Sequence, residues 1–247
     1  MIVERAVHPQ WQSNTYLVAS ASGSKAFFVD GGAGVEDLLD RAEQLSLTVT
    51  HVLVTHRHED HVEEIAQIRE RLPDVEVLCH PKELEHVRGA TGELRPGAAL
   101  SIGDLAVEVL ETPGHTGGSV AILVDGHLFT GDTLFRCSVG GVTSPGHTTF
   151  DDLRRSIMDV LLRVAPDTVV LPGHADASTV GEEWDHNPFV RVWRGLEPEG
   201  TERCQVLGRP AQLVVWAADY DGGHKAWVRW ADGRDEILAG SKVQRDR

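Results

Sequence analysis

Thr55-His56-Arg57-His58-Glu59-Asp60-His61 places three imidazoles and two carboxylates within six consecutive positions, His56 to His61, directly after the apolar run Val49 to Thr55. In an extended segment, residues two apart point to the same side, so His56 and His58 converge on one ion. Asp60 and His61 fall where the chain turns into the next helix and face a second ion beside the first. Nitrogen and oxygen donors without sulfur suit zinc, and also iron or manganese.

Three later segments repeat one local design, a short apolar strand ending in a turn that carries a single donor: Thr112-Pro113-Gly114-His115, Phe129-Thr130-Gly131-Asp132 and Leu171-Pro172-Gly173-His174. Glycine beside each donor lets the backbone bend sharply at the strand end. A lone histidine is ordinarily a surface or helix-end residue, whereas seven donors in four ordered motifs point to one site at a sheet edge.

The order THxHxDH, PGHTGGS, GDTLF and PGH resembles the metallo-β-lactamase superfamily over residues 1 to about 190. The resemblance implies an α+β fold, an αββα sandwich of two mixed sheets flanked by helices. It also implies two zinc ions, with iron or manganese as alternatives. His56, His58 and His115 would hold one, Asp60, His61 and His174 the other, and Asp132 would bridge them. Within that superfamily, Thr179-Val180-Gly181-Glu182-Glu183 and His186-Asn187-Pro188-Phe189 are similar to glyoxalase II, the hydroxyacylglutathione hydrolases.

The implied activity is hydrolysis of a thioester or ester, such as S-lactoylglutathione, by a hydroxide bridging the two metals, with Asp60 orienting the attacking water and accepting its proton. Two departures leave the thiol carrier open. After GDTLF the chain reads Arg136-Cys137-Ser138-Val139-Gly140-Gly141-Val142-Thr143, and a short β unit stands where longer members carry a helical glutathione-binding domain. The competing readings are a persulfide dioxygenase using a single iron on His56, His115 and Asp132, and a non-catalytic metal-binding protein. Flavodiiron oxygen reductases carry a glutamate where His58 stands and are set aside.

Alternating strand-like and amphipathic runs indicate layered α/β architecture through about residue 190. A hairpin is expected over 15–20 and 26–30, helices over 35–46 and 60–72, a short helix over 82–88, and strands at 49–55, 75–80, 106–111, 119–124 and 127–131. A loop over 136–149 precedes a helix marked by Leu153, Ile157, Val160 and Leu161, the strand Thr168–Leu171, and a last helix over 179–187 that stops at Pro188. Residues 1–200 are read as the metal-dependent hydrolase domain and 201–247 as a small all-β extension resembling an SH3-like barrel.

Composition narrows the partners. The 247 residues carry 23 basic against 38 acidic side chains, a formal charge of -15 that repels a phosphate backbone, so nucleic acid is not expected. Cys79, Cys137 and Cys204 are odd in number, lie far apart and show no CxxC spacing, which fits a reducing cytoplasm. No signal-like N-terminus is seen, and no run approaches the roughly 18 apolar residues that span a bilayer. The expected partner is a small-molecule thioester, and the oligomeric state is left open. Arg136, Arg57 and His147 are candidate substrate contacts. Trp216, Tyr220, Trp227 and Trp230 are read as packing groups rather than a binding face.

Overall fold

The computed structural model describes residues 1–246. Its first six-stranded sheet runs in spatial order Ile2–Val7, Asn14–Ala19, Lys25–Val29, Thr48–Val54, Glu76–Cys79 and Gly92–Glu93. The first two pairings are antiparallel and the remaining three parallel. The second, also six-stranded, runs Ser178–Thr179, Val169–Pro172, His127–Gly131, Val120–Val124, Leu105–Glu111 and Leu100–Ile102. It is antiparallel except where His127–Gly131 lies parallel to Val169–Pro172.

Side-chain alternation explains how the sheets stack. In Asn14–Ala19, Tyr16 and Val18 meet Val109, Ile122 and Phe129 of the second sheet. Leu17 and Ala19 point the other way, against Leu38 and Leu39 of the helix Val35–Gln44 and Ile65 and Ile68 of the helix Ile65–Arg71. Every residue of that strand is buried, as expected where both faces of a sheet are covered. On the outer face of the second sheet, Ala121, Leu128 and Val170 pack against Phe150, Leu153, Ile157 and Phe189. The layers are therefore helix, sheet, sheet, helix, the expected αββα sandwich.

The C-terminal strands Glu202–Val206, Arg209–Ala218, His224–Trp230, Asp235–Ala239 and Val243–Arg245 form a five-stranded antiparallel sheet. Cys204, Leu213, Val228 and Leu238 close a small core of their own. Val214, Val215, Ala217, Trp227 and Ile237 instead join the core beneath the second sheet. Trp227 and Trp230 are buried packing groups, as the sequence suggests.

Four local expectations need correction. The helix over 60–72 is two pieces, Glu59–Val62 and Ile65–Arg71. The His61 carbonyl accepts from Gly31 N, and Glu64 N donates to the Gly31 carbonyl, so the backbone between the pieces is committed to the Asp30-Gly31-Gly32 turn. The short helix over 82–88 reduces to a 3₁₀ turn, Pro81–Glu83, followed by hydrogen-bonded turns.

The loop over 136–149 is not wholly irregular: Leu134–Phe135 and Ser138–Val139 pair as a small hairpin. Pro188 does end one helix, Val180–His186, but it also occupies the first position of another, Pro188–Trp193. Its fixed φ and missing N–H cost nothing there. Strands that their short runs do not announce complete the sheets: Ile2–Val7, Leu100–Ile102 and Val243–Arg245 at edges, and Glu202–Val206 between Arg209–Ala218 and Val243–Arg245.

Candidate metal centre

All seven donors come together at one edge of the sandwich. Among the described residues, three donor groups lie with their atoms within 4.8 Å of one another: His56, His58 and His115; His56, His61 and Asp132; and Asp60, His61 and His174. The strand Thr48–Val54 delivers the first motif, and the ends of Leu105–Glu111, His127–Gly131 and Val169–Pro172 deliver His115, Asp132 and His174. Asn14 and Tyr16 of the first sheet pin the His174 turn, donating from Nδ2 and Oη to the Pro172 carbonyl at 2.8 and 2.7 Å.

Two glycines are required by close approach. A Cβ on Gly173 would sit 2.3 Å from Asp132 Oδ1 and 2.8 Å from His61 Cε1, and one on Gly32 would sit 1.8 Å from the Asp60 carbonyl oxygen.

Groups outside the donor set decide which ring nitrogen each histidine presents. Asp30, in the left-handed region at φ 61°, accepts from Thr55 N at 2.7 Å, from Thr55 Oγ1 at 2.9 Å and from His61 Nδ1 at 2.9 Å. With its only proton given to Asp30, Thr55 Oγ1 can only accept from His56 Nδ1, 3.0 Å away. The Nε2 atoms of His56 and His61 therefore carry lone pairs when these rings are neutral, and both are buried without a hydrogen-bond partner. Asp132 Oδ1 is likewise buried and unpartnered, and His174 turns Nε2 toward Asp60 Oδ2 and Asp132 Oδ2, 3.2 and 3.4 Å away.

His58 Nε2 donates to the Pro145 carbonyl at 3.0 Å and His115 Nδ1 to the Gly141 carbonyl at 2.8 Å, so their other nitrogens carry no proton in the neutral rings. Those two nitrogens, His58 Nδ1 and His115 Nε2, face each other at 2.9 Å. Two lone pairs at that separation repel unless a cation lies against both. Orphaned buried donors and opposed lone pairs are what a metal site requires, and the residues present fit one.

The electrostatics divide the site. Burial, then His61, push the His56 imidazole well below its usual value, and burial chiefly lowers His115 to about 4. Burial acts the same way on His174 and His61, but it is outweighed. The Asp132 carboxylate and hydrogen bonds to Asp132 and Asp60 hold His174 up at about 9, and Asp132 with Asp30 holds His61 well above its usual value. Burial would raise Asp60 and Asp132, yet these imidazoles keep both carboxyls below the usual carboxylate range.

Glu83, almost fully buried, ties two donor loops together. Its Oε1 accepts from Thr116 Oγ1 and Gly118 N, each at 2.8 Å, beyond His115, and its Oε2 lies 3.3 Å from Arg57 Nε, between His56 and His58.

Five of the donors, His58, Asp60, His115, Asp132 and His174, line a cavity of about 400 Å³ together with Thr143, Ser144 and Pro145 and with Tyr220, Lys225, Leu238, Ala239 and Lys242 of the C-terminal unit. The Tyr220 ring stacks on His174 with centroids 4.2 Å apart and an interplanar angle of 14°. None of the three candidate substrate contacts lines this cavity. Arg136 lines a neighbouring one, while His147 is exposed and its Nδ1 donates to the Thr148 carbonyl at 2.9 Å. Arg57 is taken up by Glu83.

Asp30, Thr55, Glu83, Tyr220 and Lys225 were not singled out as site residues from the sequence. Only Asp30, an acid followed by two glycines at a strand end, left a local signal there.

A family description, the metallo-beta-lactamase superfamily, matches residues 8–174. An uncharacterized protein of Mycobacterium bovis is 35% identical over 207 residues, covering 72% of this chain and 92% of the relative. A hydroxyacylglutathione hydrolase of Xanthomonas euvesicatoria is 34% identical over 169 residues, covering 67% of this chain and 62% of that enzyme. Among solved structures, the protein TTHA1623 in a di-iron-bound form superposes with a TM-score of 0.66 at 32% identity, covering 76% of this chain and 100% of the other.

Proposed function

Because the chain belongs to the metallo-beta-lactamase superfamily, we propose that it is a dinuclear metal-dependent thioesterase acting on a hydroxyacyl-thiol conjugate such as S-lactoylglutathione. The observation that carries the metal reading is the close approach of His58 Nδ1 and His115 Nε2, 2.9 Å apart, in rings whose other nitrogens each face a backbone carbonyl. In this reading His56, His58 and His115 would hold one ion, Asp60, His61 and His174 the other, and Asp132 would serve both. Zinc suits the donors, and the di-iron form of the similar structure supports iron as the alternative.

When bound, such a pair of cations makes water acidic enough to attack near neutral pH and polarises a carbonyl oxygen. The protein does the positioning. Asp60 keeps its carboxylate ionised beside His174, with Oδ2 3.2 Å from Nε2, and it opens to the cavity more than Asp132 does. It is the group placed to orient the attacking water and take its proton. The water oxygen joins the acyl carbon, the C–S bond breaks, and the products are a carboxylic acid and a free thiol. The match to the hydroxyacylglutathione hydrolase supports this substrate class.

The persulfide dioxygenase alternative needs only His56, His115 and Asp132. It leaves His58, Asp60, His61 and His174 without a task, although they complete the donor groups found here. The test is thiol release from S-lactoylglutathione by metal-loaded protein, run beside oxygen uptake on glutathione persulfide by the iron-loaded form. Thiol release without oxygen uptake is expected; oxygen uptake without thiol release would overturn the proposal.

A further inference from the structure

Beyond the donors, the charged side chains among the described residues lining the cavity are Lys225, on the strand His224–Trp230 of the C-terminal sheet, and Lys242, in the 3₁₀ turn Gly240–Lys242 that joins two strands of that sheet. That sheet lies outside the matched residues 8–174. The two lysines differ in what they have left to offer. Lys225 is only 8% exposed, its Nζ is 3.0 Å from Asp219 Oδ2, and Asp219 Oδ1 accepts from Ser138 Oγ at 2.9 Å. Its charge is spent on holding the loop that carries Tyr220 against the small hairpin.

Lys242 is exposed and has no ion pair or side-chain hydrogen bond among the described residues. Its backbone is nevertheless fixed. It ends the 3₁₀ turn Gly240–Lys242, where Gly240 is pressed so closely on the neighbouring strand that a Cβ would lie 2.7 Å from the His224 carbonyl oxygen, and the Lys242 carbonyl accepts from Leu207 N at 3.2 Å.

A chain of formal charge -15 thus presents an unpaired cation at the rim of its metal cavity. A local charge outweighs distant ones, which salt screens. The scissile carbonyl has to reach the donors inside the cavity, and the hydroxyacyl group of the proposed substrate is short, so the part long enough to extend to an exposed rim residue is the thiol carrier.

Resting on the thioesterase reading, we propose that the C-terminal sheet selects the substrate, with Lys242 at the rim binding a carboxylate or phosphate on the thiol carrier and Tyr220 with the Lys225–Asp219 pair forming the fixed wall beside it. Lys242 is a specificity-determining residue in this account, and the reacting atoms remain with the donor set.

The experiment compares three acetyl thioesters on the metal-loaded full chain: neutral S-acetyl-N-acetylcysteamine, the carboxylate S-acetyl-mercaptopropionate and the phosphate S-acetyl-phosphopantetheine. One charge-assisted contact predicts kcat/KM about tenfold higher for an anionic member than for the neutral one. The member with the larger ratio identifies the anion. That ratio should collapse in Lys242→Glu, persist in Lys242→Arg, and shrink with added salt. Being exposed, position 242 tolerates these changes without loss of fold. A ratio unchanged in Lys242→Glu would overturn the inference and leave the thioesterase reading standing. No hydrolysis of any of the three would overturn both.

Discussion

Asp30 bears on more of the centre than its place outside the donor set suggests, because one carboxylate fixes Thr55, through Thr55 His56, and directly His61. Removing a group that orients metal-ligating histidines weakens metal affinity about 10–100-fold. Asp30→Ala should show that loss in competition with a chelator, and an unchanged affinity would refute this role.

The raised imidazoles make a second prediction. His174, held at about 9, and His61, held well above its usual value, carry protons at neutral pH in the metal-free protein, whereas His115, at about 4, does not. Those protons must leave when metal binds, so apparent affinity should climb as pH rises toward about 9. Binding near neutral pH should release about two protons, read from the buffer dependence of the binding heat. Release of none would contradict the assignment.

The donors were legible in the sequence because their chemistry demands rare residue types at strand ends. Asp30 is marked only by the two glycines that follow it, and the roles of Thr55 and Glu83 not at all, since such residues are common and the partners that define them, Asp30 and Thr116, lie far along the chain.

Helix boundaries show where local signals compete with tertiary ones. Amphipathic spacing continues from Val62 through Ile65 and Ile68, yet the helix breaks because the turn carrying Gly31 takes its backbone groups. No single-helix pattern contains that information. Asn187 is the converse case. The HNPF segment was read as the end of a helix, and the same asparagine also starts the next one, its Oδ1 accepting from Phe189 N at 3.1 Å while Nδ2 donates to Ser138 O and Glu183 Oε2 at 3.0 and 2.8 Å.

Asn187 is fully buried, so Asn187→Ala removes a cap and takes a donor from the Ser138 carbonyl and from Glu183 Oε2, which keeps only the Cys137 N–H. The expected loss is about 2–4 kcal/mol, measured by denaturant unfolding. A loss under about 0.5 kcal/mol, the range of ordinary surface changes, would show that the contacts carry no weight. The strands flanking the donors followed from short apolar runs ending in glycine, whereas the two-residue hairpin at Leu134 and Ser138 is too short for periodicity to register.

At the scale of the molecule, the C-terminal sheet changes meaning between sequence and structure. Three of its five strands, Arg209–Ala218, His224–Trp230 and Asp235–Ala239, lie on apolar runs that the sequence shows, but nothing local indicates that Tyr220 stacks on His174 or that Trp227 and Ile237 complete the core under the second sheet. A chain ending at residue 200 would expose that face, including the neighbours of Phe150 and Trp193. It should bind an apolar dye and lose the cooperative thermal transition of the full chain; a cooperative, dye-silent fragment would show that the sheet is dispensable for folding. No helix among the described residues is long and apolar enough to cross a membrane.

A metal titration of the full chain tests the dinuclear thioesterase: metal-free protein receives zinc stepwise while thiol release from S-lactoylglutathione is followed. Activity that rises to a plateau at two equivalents, and that stays at background throughout for Asp60→Ala, is the predicted result. A plateau at one equivalent, or thiol release unaffected by Asp60→Ala, would contradict it.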